Sequence, residues 1–272
     1  MHPTLYIVST PIGNLEDITL RAVRILKEVD LIAAEDTRHS MKLLSSMGIS
    51  KPMISYWSEK EKSGAEDIIK QLKQGRSIAI ISDAGTPGIS DPGTVVVKRA
   101  VEEGFRIVPV PGPSALTAAI SISGLSSDEF LFIGFLPQKV MQRRKKLETL
   151  QYENRTMIFY EAPHRIEESV SDMLEVFGER KVVVCRELTK LHEEIFRGSL
   201  SIVMQTIKAS KIAGEYVVVV DGAADARLSV EDALREVLML IKKGKGRKEA
   251  VSIIAKQYGL SKKELYDKSL EK

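Results

Sequence analysis

The amino-acid sequence predicts an α/β protein that consists of two α/β domains and a small, all-helical C-terminal domain. Short, continuous apolar segments alternate with amphipathic stretches, which is typical of parallel strands covered by helices on both faces. The chain of 272 residues is long enough for about two domains of ordinary size. After residue 224 the composition changes to Lys, Glu and Leu, which marks the third region.

The first domain is predicted to cover residues 1–124 and to begin with an apolar strand. Leu20, Val23 and Leu26 recur at helical spacing, and Gly75 and Gly104 each end a later helix. The predicted strands cover residues 5–8, 31–34, 77–81 and 106–110, and the predicted helices include residues 19–29, 68–74, 95–103 and 115–122.

The second domain, predicted at residues 125–224, repeats this alternation after a polar break. A short extra strand at residues 193–197 favours some antiparallel pairing. The other predicted strands cover residues 130–134, 156–160, 181–185 and 216–220, and the predicted helices cover residues 142–150, 166–177 and 200–208.

The C-terminal region, residues 225–272, is basic, whereas the rest of the chain is nearly neutral. It contains 12 Lys and Arg against 8 Asp and Glu, while the preceding residues contain 28 against 29. This asymmetry favours contact with a polyanion. Ala255, Gly259 and Leu265 have the spacing of a helix-turn-helix, in which the glycine forms the turn and the other two residues pack the helices together. A small helical cap with solvated lysines is the alternative.

The composition argues against several classes of protein. Apolar residues make up 43% and charged residues 28% of the chain, as in soluble globular proteins. We expect no membrane helix and no signal peptide, because no apolar run is long enough and the N-terminus has no basic segment. The single cysteine, Cys185, excludes an internal disulfide and indicates a reducing, cytoplasmic location. With four scattered histidines, no structural zinc site is expected.

Three familiar binding or catalytic motifs are missing from the sequence. It contains no G-x-G-x-x-G after a strand, no G-x-x-x-x-G-K-[ST] and no G-x-S-x-G. An ordinary Rossmann site, a P-loop NTPase and an α/β-hydrolase are therefore disfavoured.

Three loops rich in Gly and Pro follow predicted strands, at residues 9–14, 82–93 and 109–115. Ligands of open α/β sheets bind beyond the carboxyl ends of the strands, where such loops lie. Prolines stiffen the loops and glycines permit close approach, so that backbone N–H and C=O groups can contact a ligand. Asp83 and Asp91 add negative charge, which suits a cationic ligand. The loops therefore predict a ligand site.

Polar and charged residues follow other predicted strands, at residues 35–39, 160–165 and 186–190. Each residue alone could be a helix cap or a surface ion pair, but their common place at strand ends favours a shared cleft. The basic segment at residues 143–146 is instead typical of a solvated helix face, and contact with a polyanion is the alternative.

Six segments together resemble one known family, at residues 5–15, 34–38, 82–87, 110–115, 160–165 and 186–190. They are similar to the tetrapyrrole methylase superfamily, and in particular to those members that methylate small-subunit ribosomal RNA. The resemblance covers residues 5–222, and the C-terminal region is similar to the helical domain of the same relatives.

This resemblance implies a tetrapyrrole methylase fold with S-adenosylmethionine in the cleft between the two α/β domains, and no metal. It implies methylation of the ribose 2′-hydroxyl of a cytidine in 16S ribosomal RNA, within the assembled small subunit, by a homodimer. Relatives that methylate porphyrinoids have a Gly-rich loop in place of residues 9–14 and Gly-Asp-Pro in place of residues 82–84. These departures favour the members that act on RNA.

The resemblance also implies which residues bind the cofactor. Residues of the first domain would line its methionine end, and residues of the second domain would close over its adenosine. The cofactor-binding candidates are Pro11, Asp83, Ala84, Gly85, Pro87, Ser114, Ala115, Glu161, Leu188, Gly214 and Glu215.

Methyl transfer to a ribose hydroxyl requires alignment and a way to remove the hydroxyl proton. A carboxylate or a neutral lysine could take the proton, and an arginine could hold a phosphate. The catalytic candidates are Glu35, Asp36, Glu187 and Lys190 for the proton, and Arg38 and Arg165 for the phosphate. The sequence does not choose among them.

Two other functions remain open from the sequence. One is a porphyrinoid C-methyltransferase on the same scaffold, which the basic C-terminal region disfavours. The other is a non-catalytic nucleic-acid-binding regulator built around the C-terminal helices, which would not bind S-adenosylmethionine.

Overall fold

The computed structural model describes residues 2–58, 61–223, 230–258 and 260–270. The chain divides into two compact units. Residues 1–150 and 155–221 make the larger unit, and residues 151–154 and 222–272 make the smaller one. Among the described helices, none has the length and apolar character needed to cross a membrane.

In the described part of the chain, the larger unit contains two five-stranded sheets. Neighbouring strands of the first sheet are all parallel, in the order β3-β2-β4-β1-β5, which confirms the parallel sheet predicted from the apolar runs. Its strands are β1 (Thr4–Val8), β2 (Leu31–Ala34), β3 (Met53–Ser55), β4 (Ile78–Ile81) and β5 (Arg106–Val110). Its helices are α1 (Leu20–Glu28), α2 (Thr37–Ser46), α3 (Glu61–Lys73), α4 (Thr94–Glu102) and α5 (Ala115–Ser123).

The inner strands β2 and β4 are continuously apolar and buried because helices cover both faces of the sheet. In β2, Leu31 and Ala33 lie in one apolar cluster with residues of α3. Ile32 and Ala34 point the other way and lie in a second cluster with residues of α1. A strand that is solvated on one face would alternate apolar and polar residues instead.

The second sheet is mixed, in the order β6-β7-β10-β8-β9. Strand β10 lies between β7 and β8 and is antiparallel to both. The predicted extra strand is confirmed, since β9 pairs antiparallel with β8. The strands are β6 (Phe130–Phe135), β7 (Thr156–Glu161), β8 (Lys181–Arg186), β9 (Glu194–Ser199) and β10 (Tyr216–Val220), and the helices are α6 (Val140–Glu148), α7 (Ile166–Phe177) and α8 (Leu200–Ala209).

Helix α5 follows the first sheet in sequence but packs on the second sheet. Ala119 and Ile120 of α5 lie in one apolar cluster with Val217 of β10. The backbone N–H of Leu116 donates a hydrogen bond of 3.0 Å to the Tyr160 hydroxyl of β7. The helix therefore holds the carboxyl-terminal edge of the first sheet next to the second sheet.

The smaller unit contains α9 (Val230–Lys242), α10 (Arg247–Gln257) and α11 (Lys262–Leu270). Ala255 and Leu265, which the sequence assigns to a helix-turn-helix, are both buried in its core. Gly259, the residue expected at the turn, lies outside the described residues. The N–H groups of Arg247 donate to the backbone carbonyl of Ser269 at 2.6 Å, so at least one basic residue of this unit has an internal role.

Helix α2 and strand β3 were not predicted from the sequence. Helix α2 begins after Asp36, whose side-chain Oδ1 accepts hydrogen bonds from the backbone N–H groups of Arg38 at 2.8 Å and His39 at 3.4 Å. An Asp in this position stabilises a helix start. Strand β3 has three residues at the edge of the sheet, which is too short for a periodic pattern.

The prediction of a solvated basic face at residues 143–146 is wrong for Arg143. The Arg143 side chain is only 1% exposed. Its Nε donates to Oδ2 of Asp172 at 2.6 Å, and the Nε of Arg144 donates to the other oxygen of Asp172 at 2.7 Å. Both arginines thus hold α6 against α7 through one carboxylate.

Candidate functional site

A cavity of about 380 Å³ lies where strand ends of the two sheets meet. The first sheet contributes the loops that follow β1, β4 and β5, and the second contributes the ends of β7 and β8. The start of β10 completes the wall, because β10 is antiparallel to β7 and β8 and begins where they end. The volume is that of a small-molecule site.

The three loops of the first sheet form one wall through mutual hydrogen bonds. The N–H of Thr10 donates to the carbonyl of Gly85 at 2.8 Å, and the N–H of Gly85 donates back to Thr10 at 3.1 Å. The hydroxyls of Ser9 and Thr86 are 2.8 Å apart, and the Thr86 hydroxyl also donates to the carbonyl of Pro113 at 3.4 Å. The loop after β4 is therefore fixed to the loops on either side of it.

Glycine is required at residue 85 by its backbone conformation. Its φ of +81° lies in the left-handed region, where side chains are strained. A Cβ there would lie 3.6 Å from the Cγ2 of Ile12, an ordinary contact, so the strain comes from the backbone and not from lack of space.

Acidic residues dominate the polar lining of the cavity, with Glu35, Asp83, Asp91 and Glu215 all facing it. Burial, followed by the charges of Glu35, Asp83 and Glu215, raises the pKa of Asp91 to about 7. Burial and the charge of Asp83 also raise the pKa of Glu35. Ionisation of all these carboxyl groups at once is therefore unfavourable because their negative charges repel one another. A bound cation would relieve that repulsion.

The acidic lining is not a metal site of the usual kind. Within residues 2–58, 61–223, 230–258 and 260–270, no group of three or more His, Cys, Asp or Glu side chains is arranged to hold a metal ion.

Glu161 lines the cavity, but its carboxylate is used inside the protein. Its Oε2 accepts a hydrogen bond from the Ser169 hydroxyl at 2.5 Å, and its Oε1 lies 3.4 Å from Nε of Arg165. Arg165 in turn donates to the backbone carbonyl of Leu136 at 2.7 Å. Arg165 therefore points inward. The prediction that it could hold a phosphate is not supported, because its guanidinium is engaged inside the protein.

Lys190 and Glu187 form a clamp with Glu215 at the rim of the cavity. The Nζ of Lys190 donates to Glu187 at 2.8 Å and to Glu215 at 2.9 Å. Burial opposes charge on both groups, but these hydrogen bonds raise the pKa of Lys190, and the one to Glu187 lowers the pKa of that carboxyl. Lys190 is thus an ammonium group and not a neutral base. A Cβ on Gly214 would collide with the Glu187 side chain, so the clamp also depends on that glycine.

A groove of about 500 Å³ shares Ile12, Asp83, Ala84 and Glu215 with the cavity. It therefore adjoins the cavity on the side of the first loop. Its other lining residues include three that can carry positive charge, and they are Pro11, Gly13, Leu15, His39, Lys42, Leu43 and Lys190.

An open depression of about 640 Å³ adjoins the cavity at Glu35, which lines both. The Arg38 side chain is 89% exposed here, and its nearest carboxylate oxygen, on Asp36, is 3.4 Å away. Asp36 itself caps α2. The depression is lined by Glu35, Asp36, Thr37, Arg38, Ser55, Trp57 and Ser58.

Most of the predicted site residues lie around these three spaces. Pro11 and Lys190 line the groove, Asp36 and Arg38 line the depression, and Pro87, Glu187 and Gly214 line none of the three. The predicted residues that line the cavity are Glu35, Asp83, Ala84, Gly85, Ser114, Ala115, Glu161, Leu188 and Glu215.

Several lining residues were not among the predicted site residues. Phe135 and Tyr216 lie at the end of β6 and the start of β10, and only the strand order brings them to the cavity. Asp91 lies in the longest Gly-rich loop, where the sequence predicts that its charge suits a cationic ligand, but it is not one of the predicted cofactor-binding residues.

Comparison with known proteins adds three findings. The sequence profile of the Tetrapyrrole (Corrin/Porphyrin) Methylases matches residues 4–203. A Ribosomal RNA small subunit methyltransferase I from Halalkalibacterium halodurans is 42% identical over 271 residues, which cover 97% of this chain and 93% of that protein. A protein of the same name from Thermotoga maritima is 48% identical over 218 residues, which cover 80% of this chain and 98% of that protein.

A solved structure shares the fold at low sequence identity. The methyltransferase CobJ aligns with a TM-score of 0.61 and 17% identity, over 82% of this chain and 95% of that one. At this identity the likeness concerns the arrangement of strands and helices alone.

Proposed function

Because the chain belongs to the tetrapyrrole methylase family, we propose that it transfers a methyl group from S-adenosylmethionine to small-subunit ribosomal RNA. The acidic cavity is the observation that carries the cofactor assignment, since its carboxylates suit a sulfonium cation. The relatives named as ribosomal RNA small subunit methyltransferases support the substrate, because they match almost the whole chain.

The residues around the cavity fit the proposed cofactor. Asp83, Ala84 and Gly85 would hold its methionine end together with Ser114 and Ala115, and Leu188 and Glu215 would close over its adenosine. When bound, the cofactor supplies a methyl group that is activated by the positive sulfur. The Glu161 carboxylate would contribute by keeping the end of β7 in place, because it is engaged with Ser169 and Arg165.

We infer that the acceptor is the 2′-hydroxyl of a cytidine ribose and that Glu35 takes its proton. Glu35 is the catalytic candidate that lines both the cavity and the open depression. Its raised pKa makes its carboxylate a better proton acceptor than an ordinary glutamate. Asp36 is less suited, because its oxygens cap α2, and Lys190 is less suited because it is held as a cation.

Mapping of the methyl group tests this proposal directly. Small subunits purified from cells that lack the gene would be incubated with the protein and labelled S-adenosylmethionine. Mass spectrometry should find one methyl group on a cytidine ribose, in a linkage that resists alkaline cleavage. Methylation of uroporphyrinogen instead would establish the porphyrinoid alternative, and failure to bind the cofactor in calorimetry would favour a non-catalytic regulator.

The proposed partners are 16S ribosomal RNA within the assembled small subunit and a second copy of the chain. A substrate of this kind places the protein in the cytoplasm. The basic C-terminal region would add contacts to phosphates, because Lys and Arg there outnumber acidic residues.

Deletion of residues 225–272 should leave cofactor binding unchanged and weaken binding of small subunits. Phosphate contacts release counterions, so the affinity lost should be largest at low salt. Filter binding across a salt series measures the effect. Equal binding and turnover by the two proteins at every salt concentration would make the region purely structural.

Cofactor affinity should rise with pH until about pH 7 and then level off, because the pKa of Asp91 is about 7. Below that pH, Asp91 must lose a proton when the sulfonium binds, so affinity should fall by up to about tenfold per pH unit. Calorimetry in two buffers of different ionisation enthalpy should detect proton release at about pH 6 and little at about pH 8. Asp91→Asn should abolish this pH dependence.

The same group should affect stability in the absence of cofactor. A carboxyl with a raised pKa stabilises the fold at low pH, and this contribution disappears as the pH rises through about 7. Relative to Asp91→Asn, the wild-type protein should therefore lose melting temperature between about pH 4, the pKa of an unfolded aspartate, and about pH 7, and should change little above that pH. If the melting temperatures of both proteins changed equally with pH, the assignment would be contradicted.

A further inference from the structure

Trp57 is the single tryptophan of the chain, and it lies in the open depression beside the cavity. It lies two residues after the end of edge strand β3, and the residue remains 37% exposed. The neighbouring residue Tyr56 is buried and donates a hydrogen bond of 3.2 Å to Glu61. Because Tyr56 is anchored in the core, the chain presents Trp57 on the outer side.

Arg38 lies in the same depression and complements the indole. Its guanidinium is almost fully exposed, and its contact with Asp36 is long at 3.4 Å. An exposed pair of this kind contributes little, so the guanidinium can bind another anion at small cost. The hydroxyl groups of Thr37, Ser55 and Ser58 complete the lining with small hydrogen-bonding groups.

This combination of groups matches an unpaired nucleotide. Proteins recognise single-stranded RNA by stacking its bases on aromatic rings and binding its phosphates with arginine. A duplex would not offer its bases in this way, because they are stacked on one another.

We propose that the depression binds one unpaired nucleotide of the RNA acceptor, with its base on Trp57 and its phosphate on Arg38. The proposal rests on the proposed function and adds a residue that selects the acceptor. Since Glu35 borders both spaces, this nucleotide is the methylated one or its immediate neighbour. Trp57 thus positions the acceptor and takes no part in proton transfer.

Fluorescence of the single tryptophan tests binding without any need for turnover. A short single-stranded oligocytidylate is the probe, and excitation is confined to wavelengths that tyrosine does not absorb. Saturable quenching is expected, and Arg38→Ala should shift the titration to higher RNA concentrations. A signal that does not change at saturating RNA, as judged by filter binding, would overturn the proposal.

Kinetics of Trp57 variants provide the second test. Trp57→Ala should raise the KM for small subunits by about tenfold or more, because stacking of one base accounts for an effect of this size. Trp57→Phe should recover most of the loss, and cofactor affinity should stay at the wild-type value in both variants. Equal KM values for Trp57→Ala and wild type would also overturn the proposal. If the wild-type protein methylates no RNA, the proposed function fails, and quenching still reports on nucleotide binding.

Discussion

Replacement of Asp83 by asparagine is expected to weaken binding of S-adenosylmethionine by about tenfold or more. Asp83 faces the cavity, and its Oδ1 accepts a hydrogen bond from the backbone N–H of Asp36 at 3.1 Å. Asparagine keeps an oxygen for that hydrogen bond and removes the negative charge that would face the sulfonium. The variant therefore isolates the electrostatic contribution from the structural one.

Calorimetric titration measures this loss, and two further variants define it. Asp128→Asn removes an exposed acidic charge that lines none of the three spaces and should bind the cofactor normally. Gly85→Val should also lose at least about tenfold in affinity, because a β-branched residue is strained at a φ of +81° and would fill part of the cavity. Unchanged affinity in Asp83→Asn and Gly85→Val, with normal melting curves, would place the cofactor elsewhere.

The largest expected effect on stability belongs to Asp172→Ala. Asp172 is 4% exposed and holds both Arg143, which is 1% exposed, and Arg144. Removing one partner of a buried ion pair leaves the other charge unpaired, which costs about 3–5 kcal/mol of unfolding free energy. Urea denaturation should show this loss, while cofactor affinity of the folded fraction stays unchanged.

Glu175→Ala is the matched control, because Glu175 lies on α7 like Asp172. Glu175 binds the other end of Arg144, and its side chain is 57% exposed. Glu175→Ala should cost at most about 1 kcal/mol, because exposed ion pairs contribute little. If both variants lost equal stability, burial of the Arg143 pair would not be the cause.

The wall of the cavity that comes from the first sheet could be predicted from the sequence because it depends on local signals. Apolar runs locate β2 and β4, and the Gly- and Pro-rich segments after β1, β4 and β5 must lie at one edge of a parallel sheet. Asp83, Gly85 and Ser114 are close together for that reason.

The opposite wall could be predicted only through the family resemblance. Tyr216 reaches the cavity because β10 inserts between β7 and β8, and no periodicity encodes an insertion of that kind. The ion-pair partner of Arg143 is equally remote from local patterns. Arg143 pairs with a residue 29 positions away, so a basic segment that looks solvated in sequence is partly buried.

The central position of β10 has a consequence for how the chain matures during synthesis. Strands β7 and β8 bury Ile158 and Val183 but have no shared neighbour until β10 has been made, roughly 30 residues after β8 ends. At ordinary translation rates this leaves two apolar strand edges unpaired for about 2–6 s. Nascent chains stopped before Tyr216 should therefore aggregate or recruit chaperones, whereas those stopped after Asp221 should contain all five strands of the second sheet.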